Sequence, residues 1–152
     1  MHPIMLKRTD SGDPDFITLV RRLDAELAVR DGDDHAFYAQ FNKITHIQTA
    51  IVAYQDGRAV GCGAIRPLED RVMEVKRMFV LPEYRGKGIA AQILSELERW
   101  AKELNAGACC LETGMNQPEA IALYHKSGYT SIPNYGPYAG VGNSVCFRKT
   151  LS

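Results

Sequence analysis

The stretch Met73-Glu74-Val75-Lys76-Arg77-Met78-Phe79-Val80-Leu81, followed by Pro82 and then by Arg85-Gly86-Lys87-Gly88-Ile89-Ala90, orders the reading of the whole chain. Its first part reads as a strand, and Pro82 stops it because proline cannot donate to a ladder. After the glycines, apolar residues fall at Ile89, Ile93, Leu94, Leu97, Trp100, Ala101 and Leu104. That three-and-four spacing predicts an amphipathic helix with one buried face. Two glycines and two cations therefore stand where a helix begins. Unpaired N–H groups and the positive end of the dipole make such a start an anion site, and glycine lets the backbone approach the anion closely.

Three phosphate-loop patterns compete for this segment. A nucleoside-triphosphate loop requires Gly-Lys-Ser/Thr at its end, and Ile89 after Gly88 breaks that pattern. A dinucleotide fingerprint can be written as Gly86-x-Gly88-x-x-Ala91, with Glu112 about twenty residues further on. In that fold, however, the glycines follow the strand almost directly. Here Pro82-Glu83-Tyr84-Arg85 intervene, and too little chain follows to complete the sheet. The third pattern, Arg85-x-x-Gly88-x-Ala90 after an apolar strand end, resembles the acetyl-coenzyme A loop of the GNAT acetyltransferases.

Composition bounds the rest. A chain of 152 residues with 45% apolar content suits one packed core, so a single domain over residues 1–152 is expected. Eighteen Lys+Arg balance eighteen Asp+Glu, which gives no basic footprint for nucleic acid or an anionic membrane. No apolar run reaches membrane-spanning length, and the N-terminus lacks a signal-peptide core. Cys62, Cys109, Cys110 and Cys146 lack CxxC spacing and read as reduced thiols of a cytoplasmic protein. His2, His35, His46 and His125 show no paired metal spacing, so no metal is expected.

Outward from the central stretch, the pattern gives a first strand over His2–Thr9. A helix follows, capped by Asp13 and Pro14, with the stripe Phe16, Leu19, Val20, Leu23 and Leu27. Asp31-Gly32-Asp33-Asp34 breaks it, and Phe37, Tyr38 and Phe41 suggest a second short helix. Ile47–Tyr54 and Ala59–Arg66 form strands around an Asp56-Gly57 hairpin turn, and Gly61 and Gly63 hint at a bulge or close backbone approach. Ala108–Glu112 is a short strand that the helical crossover should make parallel to the central one. Pro118 opens a helix with Ala120, Ile121, Leu123 and Tyr124 inward, and Gly128 closes it. Tyr129–Pro133 and Ser144–Leu151 pair last, around a loop containing Tyr135 and Tyr138.

This element order resembles the GNAT fold over nearly the whole chain, as does Ala120-x-Ala122-Leu123-Tyr124-x-x-x-Gly128-Tyr129. The resemblance implies an α/β (α+β) protein: a mixed, mostly antiparallel central sheet of about six to seven strands flanked by about four helices. It implies acetyl-coenzyme A (acetyl-CoA) as co-substrate and transfer of acetyl to a primary amine of a small molecule or peptide by direct attack in a ternary complex. The alternative is a non-catalytic coenzyme A-binding module of the same fold. By the same resemblance the strand bulges near Met78, so that Met78, Phe79 and Val80 face the thioester and its arm. Arg85, Gly86, Lys87, Gly88, Ile89 and Ala90 hold the phosphates. Gln117 stands where the family often has Asn, with Asn116 one residue earlier.

Tyr124 is expected beside the coenzyme sulfur as the acid for the departing thiolate. Glu74 aligns with the family's frequent base. The alternative is a surface Glu74 on a sheet edge, paired with Lys76 or Arg77. Tyr38 and Tyr138 are the substrate-binding candidates, and a homodimer is implied at the family level.

Overall fold

The computed structural model describes residues 3–32 and 46–152. Seven strands form one sheet: β1 (Ile4–Thr9), β2 (Thr49–Gln55), β3 (Arg58–Glu69), β4 (Val72–Val80), β5 (Ala108–Gly114), β6 (Thr130–Ile132) and β7 (Ser144–Thr150). Their spatial order is β1-β2-β3-β4-β5-β7-β6, and every pairing is antiparallel except β4 with β5. The described α-helices are α1 (Pro14–Asp31), α2 (Ile89–Glu103) and α3 (Pro118–Lys126). The expected second helix around Phe37, Tyr38 and Phe41 lies outside the described residues.

Local chemistry accounts for the boundaries. The Asp13 carboxylate accepts from the Asp15 amide at 2.9 Å, and Pro14 supplies a preset φ, so α1 starts there. Asp56 and Gly57 both adopt positive φ, as the tight β2–β3 hairpin turn requires. The apolar stripe of α2 buries Ile89, Ile93, Leu94, Leu97 and Ala101. Leu104, which the spacing put on that stripe, instead caps the helix and is 49% exposed, because the helix ends at Glu103 and the chain turns through Asn105 at φ 68. Arg8 of β1 covers the Trp100 ring at 4.8 Å and forks onto Glu103 through two 2.7 Å hydrogen bonds, fixing α2 across β1.

Two features of β3 and β4 set up the site. First, the β3–β4 register shifts between Cys62, opposite Phe79, and Ala64, opposite Lys76. Gly63 therefore faces two residues, Arg77 and Met78, and Arg77 takes φ 62 in the bulge. Second, β4 pairs with β5 only from Val72–Ala108 to Glu74–Cys110, although β4 continues to Val80 and β5 to Gly114. Beyond Glu74 the parallel ladder stops.

Gly63 is also where α2 comes closest to the sheet. A Cβ there would stand 2.6 Å from Met78 Sδ, 2.9 Å from Ile93 Cγ2 and 3.0 Å from Leu97 Cδ1. Gly63→Val should therefore lower stability by about 1–3 kcal/mol through overpacking. Urea unfolding of the two proteins measures this; a loss under about 0.5 kcal/mol, the range of ordinary surface changes, would mean that α2 shifts freely on the sheet.

Candidate active site

Where the β4–β5 ladder ends, a cavity of about 720 Å³ opens. Its walls are the bulged part of β4, the end of β5, the start of α2, the inner face of α3, and Leu23, Glu26 and Leu27 of α1. Ala120 and Leu123 of α3 line this cavity, so they remain half-buried while Tyr124 is buried.

At one end of the cavity lies the glycine loop. Gly86 and Gly88 have φ 78 and φ 80, a left-handed conformation that side chains rarely adopt, and a Cβ built on either meets nothing within 4 Å. Gly88 is the N-cap of α2, and Gly88, Ile89, Ala90 and Ala91 line the cavity. The first-turn amides of a helix have no intrahelical acceptor and carry the positive dipole end. This open, side-chain-free helix start is a fit cradle for a pyrophosphate. Arg85 reaches back from the loop: its Nε donates to Val80 O and its Nη2 to Glu26 Oε2, both at 2.8 Å. Lys87 is off the cavity wall, with its Nζ 5.3 Å from the Tyr84 ring centre.

In the middle, Met78, Phe79 and Val80 lie on the wall, along the β4 edge that no longer pairs with β5. Tyr124 of α3 lines the same cavity. Its ring packs on Tyr129 and Phe147 with centroids 5.9 and 6.0 Å away. Burial, and then the negative charge of Glu112, hold its phenol well above the usual tyrosine range, so it keeps its proton. Gln117 lines the cavity and Asn116 does not.

The two acids of this region are placed differently. Glu74 is 1% exposed and is not on the wall. Arg66, its cross-strand partner, donates from Nε to Oε1 at 2.8 Å, and the Tyr135 hydroxyl donates to Oε2 at 2.7 Å. Glu112, at the free end of β5, does line the cavity. Burial first, and then the charge of Glu112, raise the phenols of Tyr124 and Tyr138, and burial lowers Lys76 against the charges of Glu74 and, after it, Glu112. Lys76 lies on the wall and donates from Nζ to the Tyr138 hydroxyl at 3.2 Å. Tyr138 is buried beneath Lys76 rather than on the wall, and Tyr38 lies outside the described residues. The thiols sit apart as poor nucleophiles: all four are buried, and burial pushes Cys62 and Cys109 up to about 12.

Sequence reading passed over Glu112, Lys76 and Arg77 as wall residues. The available signal for Glu112 was an isolated acid closing a short strand that is otherwise apolar, Ala108-Cys109-Cys110-Leu111. A carboxylate at the end of a buried strand needs a polar space to enter.

Known proteins share this architecture. A crystal structure from Klebsiella pneumoniae, described as an acyl-CoA N-acyltransferase, superposes with a TM-score of 0.81 at 32% identity, covering 100% of this chain and 99% of its own. A coenzyme A complex of the PaiA N-acetyltransferase from Thermoplasma acidophilum shares the fold, with a TM-score of 0.72 at 16% identity over 97% of this chain and 99% of its own. In sequence, an IAA acetyltransferase of Azospirillum brasilense is 36% identical over 143 residues, 89% of this chain and 90% of the relative. The profile of the acetyltransferase (GNAT) family matches residues 17–129. On that match, which spans most of its length, the chain belongs to the GNAT acetyltransferase family.

Proposed function

We propose that this protein is an acetyl-CoA-dependent N-acetyltransferase that moves an acetyl group to a primary amine, on a small molecule or a peptide, by direct attack within a ternary complex. The observation that carries this reading is the single cavity wall on which the glycine-lined start of α2, the unpaired edge of β4 and the buried phenol of Tyr124 meet. Acetyl-CoA, when bound, supplies an activated acetyl thioester. The bare backbone at Gly86 and Gly88 and the first-turn amides of α2 suit its pyrophosphate, with Arg85 and Lys87 as nearby cations. Amides along the β4 edge at Met78 to Val80 suit the acyl oxygen, where a preorganised donor counts most.

The protein's own proton chemistry then divides between two groups. Tyr124 holds a proton on Oη throughout the neutral range and gives it to the departing sulfur. An amine arrives largely protonated at neutral pH and must lose that proton before it attacks. Glu26, Glu112 and Glu119 all stand on the cavity wall; Glu26 is engaged by Arg85, and Glu112 is the one whose charge acts on Tyr124, so we assign the base function to Glu112, directly or through one water. Glu74, the base suggested by sequence, is proposed to act as a support: with Arg66 and Tyr135 it anchors the floor beneath Lys76. The high thiol pKa values argue against an acyl-cysteine route. A reducing, cytoplasmic location fits the four reduced cysteines.

Acetyl-CoA at about a hundred times its Kd should add roughly 2.7 kcal/mol to the folding free energy, and NADH should add nothing. Gly88→Asp should remove the stabilisation, because its carboxylate would occupy the anion site and strain the left-handed backbone. Thermal unfolding with each ligand tests both statements; equal stabilisation by NADH would sink the cofactor assignment.

Tyr124→Phe keeps the ring packing and removes the proton. Turnover should fall about a hundred-fold, the lower end of general acid catalysis, while the calorimetric Kd for acetyl-CoA stays within about two-fold. Wild-type turnover in that variant would reduce Tyr124 to a packing residue.

Glu112→Gln should lower kcat about a hundred-fold and abolish the acidic limb of the pH–rate profile, whereas Glu74→Gln should keep that limb. The opposite pattern would return the base function to Glu74. Release of no free coenzyme A with any amine, despite tight acetyl-CoA binding, would make the chain a coenzyme A-binding module.

A further inference from the structure

The bulge of β4 places a buried cation on the cavity wall with one arm unpaired among the described residues. Arg77 lines the cavity, and its side chain is 4% exposed. Its Nη1 donates to Asp24 Oδ1 of α1 at 3.0 Å. Its Nη2 is enclosed, and no atom among the described residues accepts from it. A guanidinium cannot shed its charge, and its five donors form a rigid planar fork. Enclosing one of those donors unmet is costly. The backbone that carries it is also strained, at φ 62 on a non-glycine residue, a conformation kept where surroundings or function demand it. The neighbouring wall residue, Lys76, adds a second cation whose side chain is 12% exposed. Glu112 enters from the other strand, so Lys76, Arg77 and Glu112 all line the same cavity.

We propose that the acceptor carries a carboxylate beside its amine, as an α-amino acid does. A shift of the side chains that enclose Arg77 Nη2 lets it receive the carboxylate, Lys76 adds charge to it, and Glu112 faces the ammonium. A planar carboxylate matches the fork of a guanidinium, and a zwitterion answers a wall bearing both signs of charge. The bulge thus performs two tasks: it frees the β4 edge, and it turns a cation inward to select the acceptor. This inference rests on the acetyl-transfer reading above and narrows it to a substrate class.

Matched pairs of an amino acid and its decarboxylated amine test it: phenylalanine with phenethylamine, tyrosine with tyramine, histidine with histamine. Coenzyme A release by the wild-type protein should show kcat/KM at least ten-fold higher for the amino acid of a pair. In Arg77→Met the KM for that amino acid should rise at least ten-fold and the preference should collapse, while the Kd for acetyl-CoA stays unchanged. Equal or better turnover of the amines by the wild-type protein would overturn the proposal and leave acetyl transfer standing. A weakened acetyl-CoA Kd in Arg77→Met would also overturn it, by giving Nη2 to the cofactor. Release with neither class of acceptor, with acetyl-CoA still bound, would overturn this inference, and only silence across every other amine would overturn the acetyl-transfer reading with it. The wild-type comparison needs no variant, and Arg77→Lys, which keeps the charge but not the fork, should restore only part of the preference.

Discussion

The structure depends on a parallel ladder that stops early. β4 and β5 share three residue pairs and then no more, although both strands run on. A sheet that parts in its middle leaves backbone N–H and C=O groups without strand partners, and such groups are costly inside a fold unless something polar meets them. Here that cost is retained where a cofactor with amide and phosphate groups could meet it. The β-bulge opposite Gly63 is part of the same device, since it re-aims β4 after Lys76 and changes which side chains look into the gap. Gly63 itself is the small residue that lets α2 press against the bulge.

Charged groups hold the parted strands in place from both sides. On one side, Glu74 is clasped by Arg66 across the strand pair and by Tyr135 from the loop before β7. On the other, Glu98 of α2 accepts from the Tyr129 hydroxyl at 3.0 Å and pairs with Lys149 of β7 at 2.8 Å. Half-buried ion pairs of this kind contribute little net stability, because desolvation and solvent screening offset much of the attraction. They do, however, penalise any packing in which a partner is missing. A core of interchangeable aliphatic residues would tolerate small shifts of β5 and β7 relative to β4; these pairs do not.

The same economy explains the different states of the polar groups near the cavity. Tyr124 and the cysteines are neutral because burial disfavours their charged forms. Lys76 feels burial one way and two carboxylates the other.

Much of this was legible in the sequence, and for a consistent reason. The α2 stripe, the Asp13–Pro14 helix start, the Asp56-Gly57 hairpin and the parallel crossover to β5 are all determined within a few residues or by chain connectivity. Local periodicity and turn chemistry therefore specify them. The glycine loop was readable too, because a positive φ and a bare backbone leave only glycine as a comfortable choice. What only the tertiary structure decided was the direction of side chains around the β4 bulge and the end of β5. Strand alternation places Glu74, Lys76 and Met78 on one face, but one extra residue in the ladder breaks that alternation, and no local signal marks where the extra residue sits. Glu74 thus falls under Arg66 and Tyr135, while Glu112 and Arg77 face the cavity. Their surroundings come from strands and helices distant in sequence, so the long-range register, and not the residues themselves, determines which charges meet.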